Sequence, residues 1–378
     1  MTDKNFDIYF DLGSSKIRAS AFKKDSSENF TIENECLSNL NLKKLNLLNA
    51  EHVIEKSILQ IEKKIDEYID DINLLVDSAD VLSIGLSVLK KNENKKINKE
   101  EIQYLIQSAK QQVLRSNTDY SILHIIVTNY KINNIDYVFL PTDINECNQF
   151  SIDIIFICFP KELIKNFEEL FNKKDVSIKQ ILFSSYVKSL NYKDQLGFYN
   201  ESAFIDIGYE KTSIIYFKKQ NFYFFHILPV GGHHITKDIS KVLNIDLIKA
   251  EEAKLNFDKD NDFLKKNGLS LEIIKKIIFA RIEEILEIST KFISRHEKSN
   301  DLDQLRLVLM GEGSKILSNK YRQDISIAND IDLFDETPLD ICESGLKVIK
   351  GQSKQEVVIV PKKIEKKGFF EKLFHFFK

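Results

Sequence analysis

Ile8-Tyr-Phe-Asp-Leu-Gly-Ser-Ser-Lys-Ile17 and Ala203-Phe-Ile-Asp-Ile-Gly-Tyr-Glu-Lys-Thr212 share one pattern. Each runs apolar strand, Asp, apolar residue, Gly, turn, return strand. Alternating apolar and β-branched residues on both sides of Gly13 read as strand, tight turn, strand. The copies start about 195 residues apart, too far for a solenoid repeat. Two related halves of an α/β protein, facing one another across a cleft, account for them.

Working outward, Val53, Ile54, Ile58, Ile61, Ile65, Ile69 and Ile72 recur at helical spacing and predict a helix within 51–77. Val81–Ser87 reads as a short buried strand, and 98–115 as a helix with Asn98 at its N-cap and Glu101 three positions on. Strands follow near 121–132 and 150–159, a helix near 160–172, a strand at 177–183 and a helix around 184–191. The second hairpin continues through Phe222–Pro229 to Gly231-Gly232 and a helix, with Phe222–Phe225 read as a buried strand rather than an aromatic binding platform. Helices fill about 246–257 and 270–296. Arg306–Ile316 reads as strand, glycine turn, helix, and the last folded helix, 338–350, carries Pro338 at its first position.

At 378 residues the chain exceeds one ordinary core, so two or more domains are expected. Charged residues at 29% describe a soluble globular protein. No run of about 18 apolar residues predicts a transmembrane helix, and Met1–Asp7 lacks the basic-then-apolar order of a signal peptide. Cys36, Cys147, Cys158 and Cys342 have no metal-site spacing and read as reduced thiols in a cytoplasmic protein. A net charge of −3 argues against a nucleic-acid partner.

The final stretch, Lys367–Lys378, has a different character. Wound as a helix, Phe369, Phe370, Leu373, Phe374, Phe376 and Phe377 fall on one arc, with Lys367, Glu371, Lys372, His375 and Lys378 opposite. It is too short to span a bilayer and is suited to lying in an anionic interface, with Lys366 as a further cation. It follows a Lys-rich run, 351–366, that reads as a linker. From Lys350 onward there are eight Lys against three Glu, a segregation that suits anionic lipid.

The chain has only 12 glycines, about half the usual ~7%. Six of them (13, 208, 231, 232, 311 and 313) stand at four turns after strands or before helices. Such turns aim backbone N–H groups at phosphate, and Asp11 and Asp206 can reach a hydrated Mg²⁺. His233 and His234 point to different sides of a helix and make a poor metal pair.

These segments, with Leu228-Pro-Val-Gly-Gly-His-His-Ile-Thr-Lys-Asp-Ile239, Lys249-Ala-Glu-Glu-Ala-Lys254 and Val308-Leu-Met-Gly-Glu-Gly313, resemble the actin, heat-shock chaperone and sugar-kinase ATPases. Within them the chain is most similar to the bacterial cell-division protein family FtsA, and the tail behind a linker belongs to the likeness. The resemblance implies an α/β, actin-like two-lobed fold with an FtsA-type inserted subdomain (1C) and a C-terminal amphipathic helix. The implied division is subdomain 1A over 1–82 and 161–190, 1C over 83–160, 2A over 191–241 and 304–335, and 2B over 242–303. A helix at 336–350 returns to 1A, followed by the linker 351–366 and the membrane helix 367–378.

The resemblance also assigns a site for ATP and Mg²⁺. Asp11, Gly13, Ser14, Ser15 and Lys16 form the first phosphate loop, and Asp206, Gly208, Lys211 and Thr212 the second. Gly231 and Gly232 lie near the nucleotide. Glu251 and Lys254 hold ribose and adenine, and Gly311, Gly313 and Ser314 form the adenosine loop. Asp11 and Asp206 hold Mg²⁺ through water. Tyr209-Glu210 replaces the glycines usual in the second loop, removing freedom of φ, and Glu312 is a second acidic departure. ATP binding with weak or absent hydrolysis is the expectation, with no catalytic residue nominated. The implied function is a tether that self-associates and recruits the FtsZ C-terminal tail, with other divisome proteins, to the inner face of the plasma membrane at the division site. A PilM-like pilus-assembly protein and a soluble ATPase or kinase of the superfamily are the alternatives.

Overall fold

The computed structural model describes residues 4–36, 47–95, 99–141, 146–197, 201–219, 221–257, 262–296, 305–317, 331–351 and 356–357. The tail 367–378 and its membrane residues lie outside these. The chain opens with β1 (Phe6–Leu12), β2 (Lys16–Lys23) and β3 (Asn29–Glu35), then α1 (Leu47–Ile65) and β4 (Asp71–Val76). Next come β5 (Leu82–Lys95), α2 (Lys99–Ser116), β6 (Tyr120–Ile132), β7 (Ile135–Tyr137) and β8 (Cys147–Pro160). The chain then returns through α3 (Lys161–Asn172), β9 (Ser177–Phe183) and α4 (Ser184–Leu196).

The second half has β10 (Glu201–Ile207), β11 (Thr212–Lys218), β12 (Asn221–Leu228), α5 (Gly232–Leu243), α6 (Leu247–Leu255), α7 (Asp262–Lys266) and α8 (Leu271–His296). It closes with β13 (Leu305–Met310), a 3-10 helix over Glu312–Ile316, β14 (Ile331–Leu333), α9 (Pro338–Ile349) and β15 (Glu356–Val357).

Two sheets repeat one topology. The first has the order β3-β2-β1-β4-β9 and the second β12-β11-β10-β13-β14. In each, an antiparallel meander is extended by two parallel strands. The doubled hairpin of the sequence thus starts two related sheets. Strand alternation then places the chemistry. Ile8, Phe10 and Leu12 face a core shared with α1 and α3, while Tyr9 joins a second core containing residues of α4 and α9. In β10, Ile205 and Ile207 face α5 and α8, while Phe204 joins that same second core. By period two, Asp11 follows Tyr9 and Asp206 follows Phe204, so the carboxylates face one another from either side of α4.

The helix expected within 51–77 ends at Ile65. Asp66 is left-handed at φ 56, and Ile69 and Ile72 belong to the turn and to β4. Apolar spacing continued across that turn and concealed it. The strand expected at Val81–Ser87 runs on to Lys95 and is only half-buried, because β5 is the edge of a third sheet. Phe222–Phe225 is likewise half-buried, with Tyr223 46% exposed.

That third sheet has the order β15-β6-β8-β5, with β7 on β6, and packs α2 on one face. It interrupts the chain between β4 and β9, which are parallel neighbours. Its free β6 edge is covered stretch by stretch: β15 pairs at Ile125 and Ile126, Asn221 donates to the Thr128 carbonyl, and β7 pairs at 130–132. Covered edges prevent stray strand pairing. Glu356–Val357, inside the segment read as a linker, is therefore part of a sheet.

Helix α9 starts at a capping box in which Thr337 accepts from the Asp340 N–H. It lies so close to the first sheet that a Cβ on Gly345 would stand 2.9 Å from Leu75 Cδ1 and 3.1 Å from Tyr9 Cδ1.

Candidate functional site

The two hairpin turns close alike. The Gly13 N–H donates to the Lys16 carbonyl at 3.0 Å, and the Gly208 N–H to the Lys211 carbonyl at 2.9 Å. Neither Tyr209 nor Glu210 has a positive φ. The second turn therefore forms without the glycine freedom its sequence lacks.

Register makes the two halves differ electrostatically. Asp11 pairs across its hairpin with Arg18, whereas Asp206 pairs with Ser213. Arg18 Nη1 donates to Asp11 Oδ2 at 3.0 Å, Nε to Glu33 at 2.8 Å and Nη2 to Glu312 at 2.9 Å. Asp206 takes its cation from α4 instead: Lys188 Nζ lies 2.7 Å from Asp206 and 3.0 Å from Glu336. Two successive serines at the start of α4 join the halves, with Ser184 donating to Asp11 at 3.0 Å and Ser185 to Asp206 at 2.8 Å.

Ser185 Oγ also touches Asp77. Its one proton is shared between the two carboxyls. Burial raises the Asp77 pKa and nearby Asp206 adds to this, against the pull of Lys211. Lys211 Nζ reaches Asp77 from the second half at 2.9 Å, without forming a hydrogen bond of good geometry.

A cleft opens between the two hairpin turns. Asp11, Gly13, Ser14, Ser15, Asp206, Gly208, Lys211 and Gly311 line it. Arg18, Asp77, Ser184, Lys188, Tyr209, Glu210, Glu312 and Glu336 line it too. Of the other sequence-nominated residues, Lys16 reaches the rim beside Glu312 and the rest stand back from the cleft. Lys16 pairs with Glu33 at 2.9 Å and with Glu312 at 3.4 Å. Thr212 donates to the Val230 carbonyl. Lys254 directs three donor contacts inward, to the Gly232 carbonyl, Thr236 and Glu251, so Lys254 and Glu251 tie α6 to α5. Tyr209 folds back over this knot, its hydroxyl 2.9 Å from His233 Nδ1 and its ring 5.5 Å from Lys254 Nζ. Gly231, Gly232, Gly313 and Ser314 shape the turns behind the wall, Ser314 donating to the Gly311 carbonyl at 2.7 Å. No group of three or more potential metal ligands occurs among the described residues.

Arg18, Asp77, Ser184, Ser185, Lys188 and Glu336 were not legible as site residues. Lys188 did leave a trace, as a lone cation in the apolar run Tyr186-Val-Lys-Ser-Leu190. Arg18 could have been found by counting register back from the turn.

Six carboxylates and three cations line the cleft. Such a wall repels a bare polyphosphate and accepts a divalent cation or a metal-neutralised anion. Lys211, with no hydrogen-bond acceptor in good geometry, fits a phosphate oxygen. Burial pushes the Glu336 carboxyl up to about 7, with Lys188 opposing and Asp206 adding. The folded state therefore holds a proton between pH 4.5 and 7 that the unfolded state gives up, and stability falls as pH rises through that window. Glu336→Gln is expected to remove this slope. Its urea midpoint should gain on the wild type from about pH 5 to about pH 8; parallel curves would overturn the assignment.

The family model "Cell division protein FtsA" matches residues 203–294, from β10 into α8. FtsA of Streptococcus pneumoniae is 29% identical over 157 residues, covering 39% of this chain and 34% of that protein. FtsA of Agrobacterium fabrum is 24% identical over 238 residues, covering 57% and 52%. The chain thus spans between a third and about half of the length of these curated relatives. Among solved structures, one titled "PilM-PilN type IV pilus biogenesis complex" aligns over 89% of each chain with TM-score 0.57 and 13% identity, a likeness of fold. The chain is thus similar to the cell-division protein FtsA over part of its length, and its doubled sheets share the actin-like fold of the PilM–PilN structure.

Proposed function

We propose that this chain is an FtsA-like tether of the division machinery. The match of the FtsA model to residues 203–294 carries this reading, because it falls on the half that holds the second phosphate turn and the helical unit beside it. The FtsZ tail, joined by other divisome proteins, docks on the unit within 242–303. Exposed Val242, Leu247, Ile248 and Leu255 supply apolar surface there. The tail 367–378 lies on anionic lipid at the inner face of the plasma membrane, and self-association multiplies weak single anchors. No helix among the described residues is long and apolar enough to cross a membrane. The likeness to the PilM–PilN structure supports a second reading, pilus assembly, on fold alone.

ATP with Mg²⁺ occupies the cleft between the halves. Asp11 and Asp206 would hold Mg²⁺ through water, and the ion would neutralise phosphate charge. Lys211 meets phosphate, while the turns at Gly13 and Gly208 set the backbone against it. Arg18 and Lys188 hold the two aspartates in place. The carboxylate excess makes binding dependent on the divalent ion, and turnover is weak.

Co-sedimentation with anionic liposomes and FtsZ tests the tether. The full chain is expected to pellet and to carry FtsZ with it. A chain ending at Lys366 should remain in the supernatant with FtsZ. Equal pelleting of both would remove the tail from the account, and lipid binding without FtsZ would leave the pilus reading ahead.

A further inference from the structure

Three cations converge on one carboxylate at the mouth of the cleft. Arg18 Nη2 donates to Glu312 Oε1 at 2.9 Å, Lys315 Nζ reaches the same oxygen at 3.0 Å, and Lys16 Nζ approaches Oε2 at 3.4 Å. We propose that Glu312 is a built-in competitor for nucleotide phosphate, holding from one lobe the cations that the other lobe presents beside its phosphate turn. This rests on the nucleotide reading of the cleft and adds its regulation.

Arg18 and Lys16 stand on β2 of the first sheet, while Glu312 follows β13 of the second, so the contact crosses between lobes. Arg18 is 6% exposed and hydrogen-bonded at three nitrogens, which fixes where its guanidinium points. Carboxylate and phosphate oxygens both accept from a guanidinium N–H, so one can take the other's place on Nη2. Glu33 also holds Lys16 and Arg18, but from β3 in the same lobe. It orients the cations without bridging the cleft. Glu312 keeps 29% of its side chain exposed, so it stands at the rim where an incoming anion meets it.

Nucleotide binding on this account is an exchange: phosphate oxygens replace the Glu312 carboxylate on Arg18 and Lys16, and the carboxylate turns to solvent. The sequence departure at Glu312 is then a device that sets affinity.

The test is calorimetric titration of Mg-ATP into the full chain, Glu312→Gln and Glu312→Ala. Both variants are expected to bind about tenfold tighter than the wild type, roughly 1.4 kcal/mol. The gain should shrink as salt rises, since the rim is solvent-screened. Circular dichroism and urea midpoints check that each variant folds, and either folded variant is sufficient. Equal or weaker binding by a folded variant, with the wild type still binding, overturns the proposal and leaves the nucleotide reading standing. No binding by any of the three at millimolar Mg-ATP overturns the nucleotide reading and the proposal together.

Discussion

Substituting alanine for Gly311 is expected to lower stability by about 2–5 kcal/mol, because two penalties meet at one residue. The backbone there has φ 90, a region that L side chains rarely adopt. A Cβ would also stand 2.3 Å from Asp206 Oδ1 and 2.6 Å from the Ile207 carbonyl. Neither neighbour can retreat cheaply: Ile207 ends a buried strand, and Asp206 is held by Lys188 and Ser185. The strain therefore passes to the carboxylate that faces the cleft, and nucleotide binding should weaken along with stability. Gly268 is the control. Its φ is 65 and a methyl added there would meet nothing within 4 Å, so Gly268→Ala incurs backbone strain alone, about 1–2 kcal/mol. Urea midpoints of the two variants measure the difference, and equal losses would show that the contact with Asp206 contributes nothing.

Lys188→Met is expected to cost about 3–5 kcal/mol at about pH 8, the usual consequence of leaving buried charge uncompensated. Lys188 is 7% exposed and is the cation shared by Asp206 and Glu336, themselves 7% and 2% exposed. Burial alone would lower its pKa, but the two carboxylates raise it above the ordinary lysine value. Burial tends to raise Asp206 as well, and Lys188 pulls its carboxyl below the usual range. In the wild type this contribution of Asp206 is present above pH 3.8 and is lost as pH falls. In the variant both carboxyls rise, so their desolvation cost is full at about pH 8 and recedes as they take up protons. The deficit relative to wild type should therefore shrink between about pH 8 and about pH 5. Urea unfolding at the two pH values decides it, and a constant deficit would mean that lost packing, not charge, is responsible.

The doubled hairpin was readable because its instructions are local: an alternating strand, a turn of fixed length, and glycine and lysine at its ends. The same is true of α9, whose Pro338 announces its start. The end of α1 was hidden, because Ile69 and Ile72 continue a helical spacing after the chain has already turned at Asp66. β5 was undervalued because an edge strand with one wet face needs few apolar residues, and Asn and Lys serve on it. The cleft divides in the same way. Glycines and aspartates at strand ends declare themselves, whereas their counter-charges arrive from remote elements. Lys188 lies 18 residues before Asp206, and Glu336 lies 130 after it. Only the packing of α4 between two sheets brings both carboxylates within 3.0 Å of the lysine.

The pairing of Glu356–Val357 with β6 also sets a length. With the tail on a lipid surface as proposed, the nine residues from 358 to 366 could reach at most roughly 30 Å. Measured from the end of α9, the same reach would be at most roughly 60 Å. On the proposed anchoring, these two strand residues would set how far the body could stand from the bilayer, and the third sheet, rather than the foot of α9, would be the point of mooring.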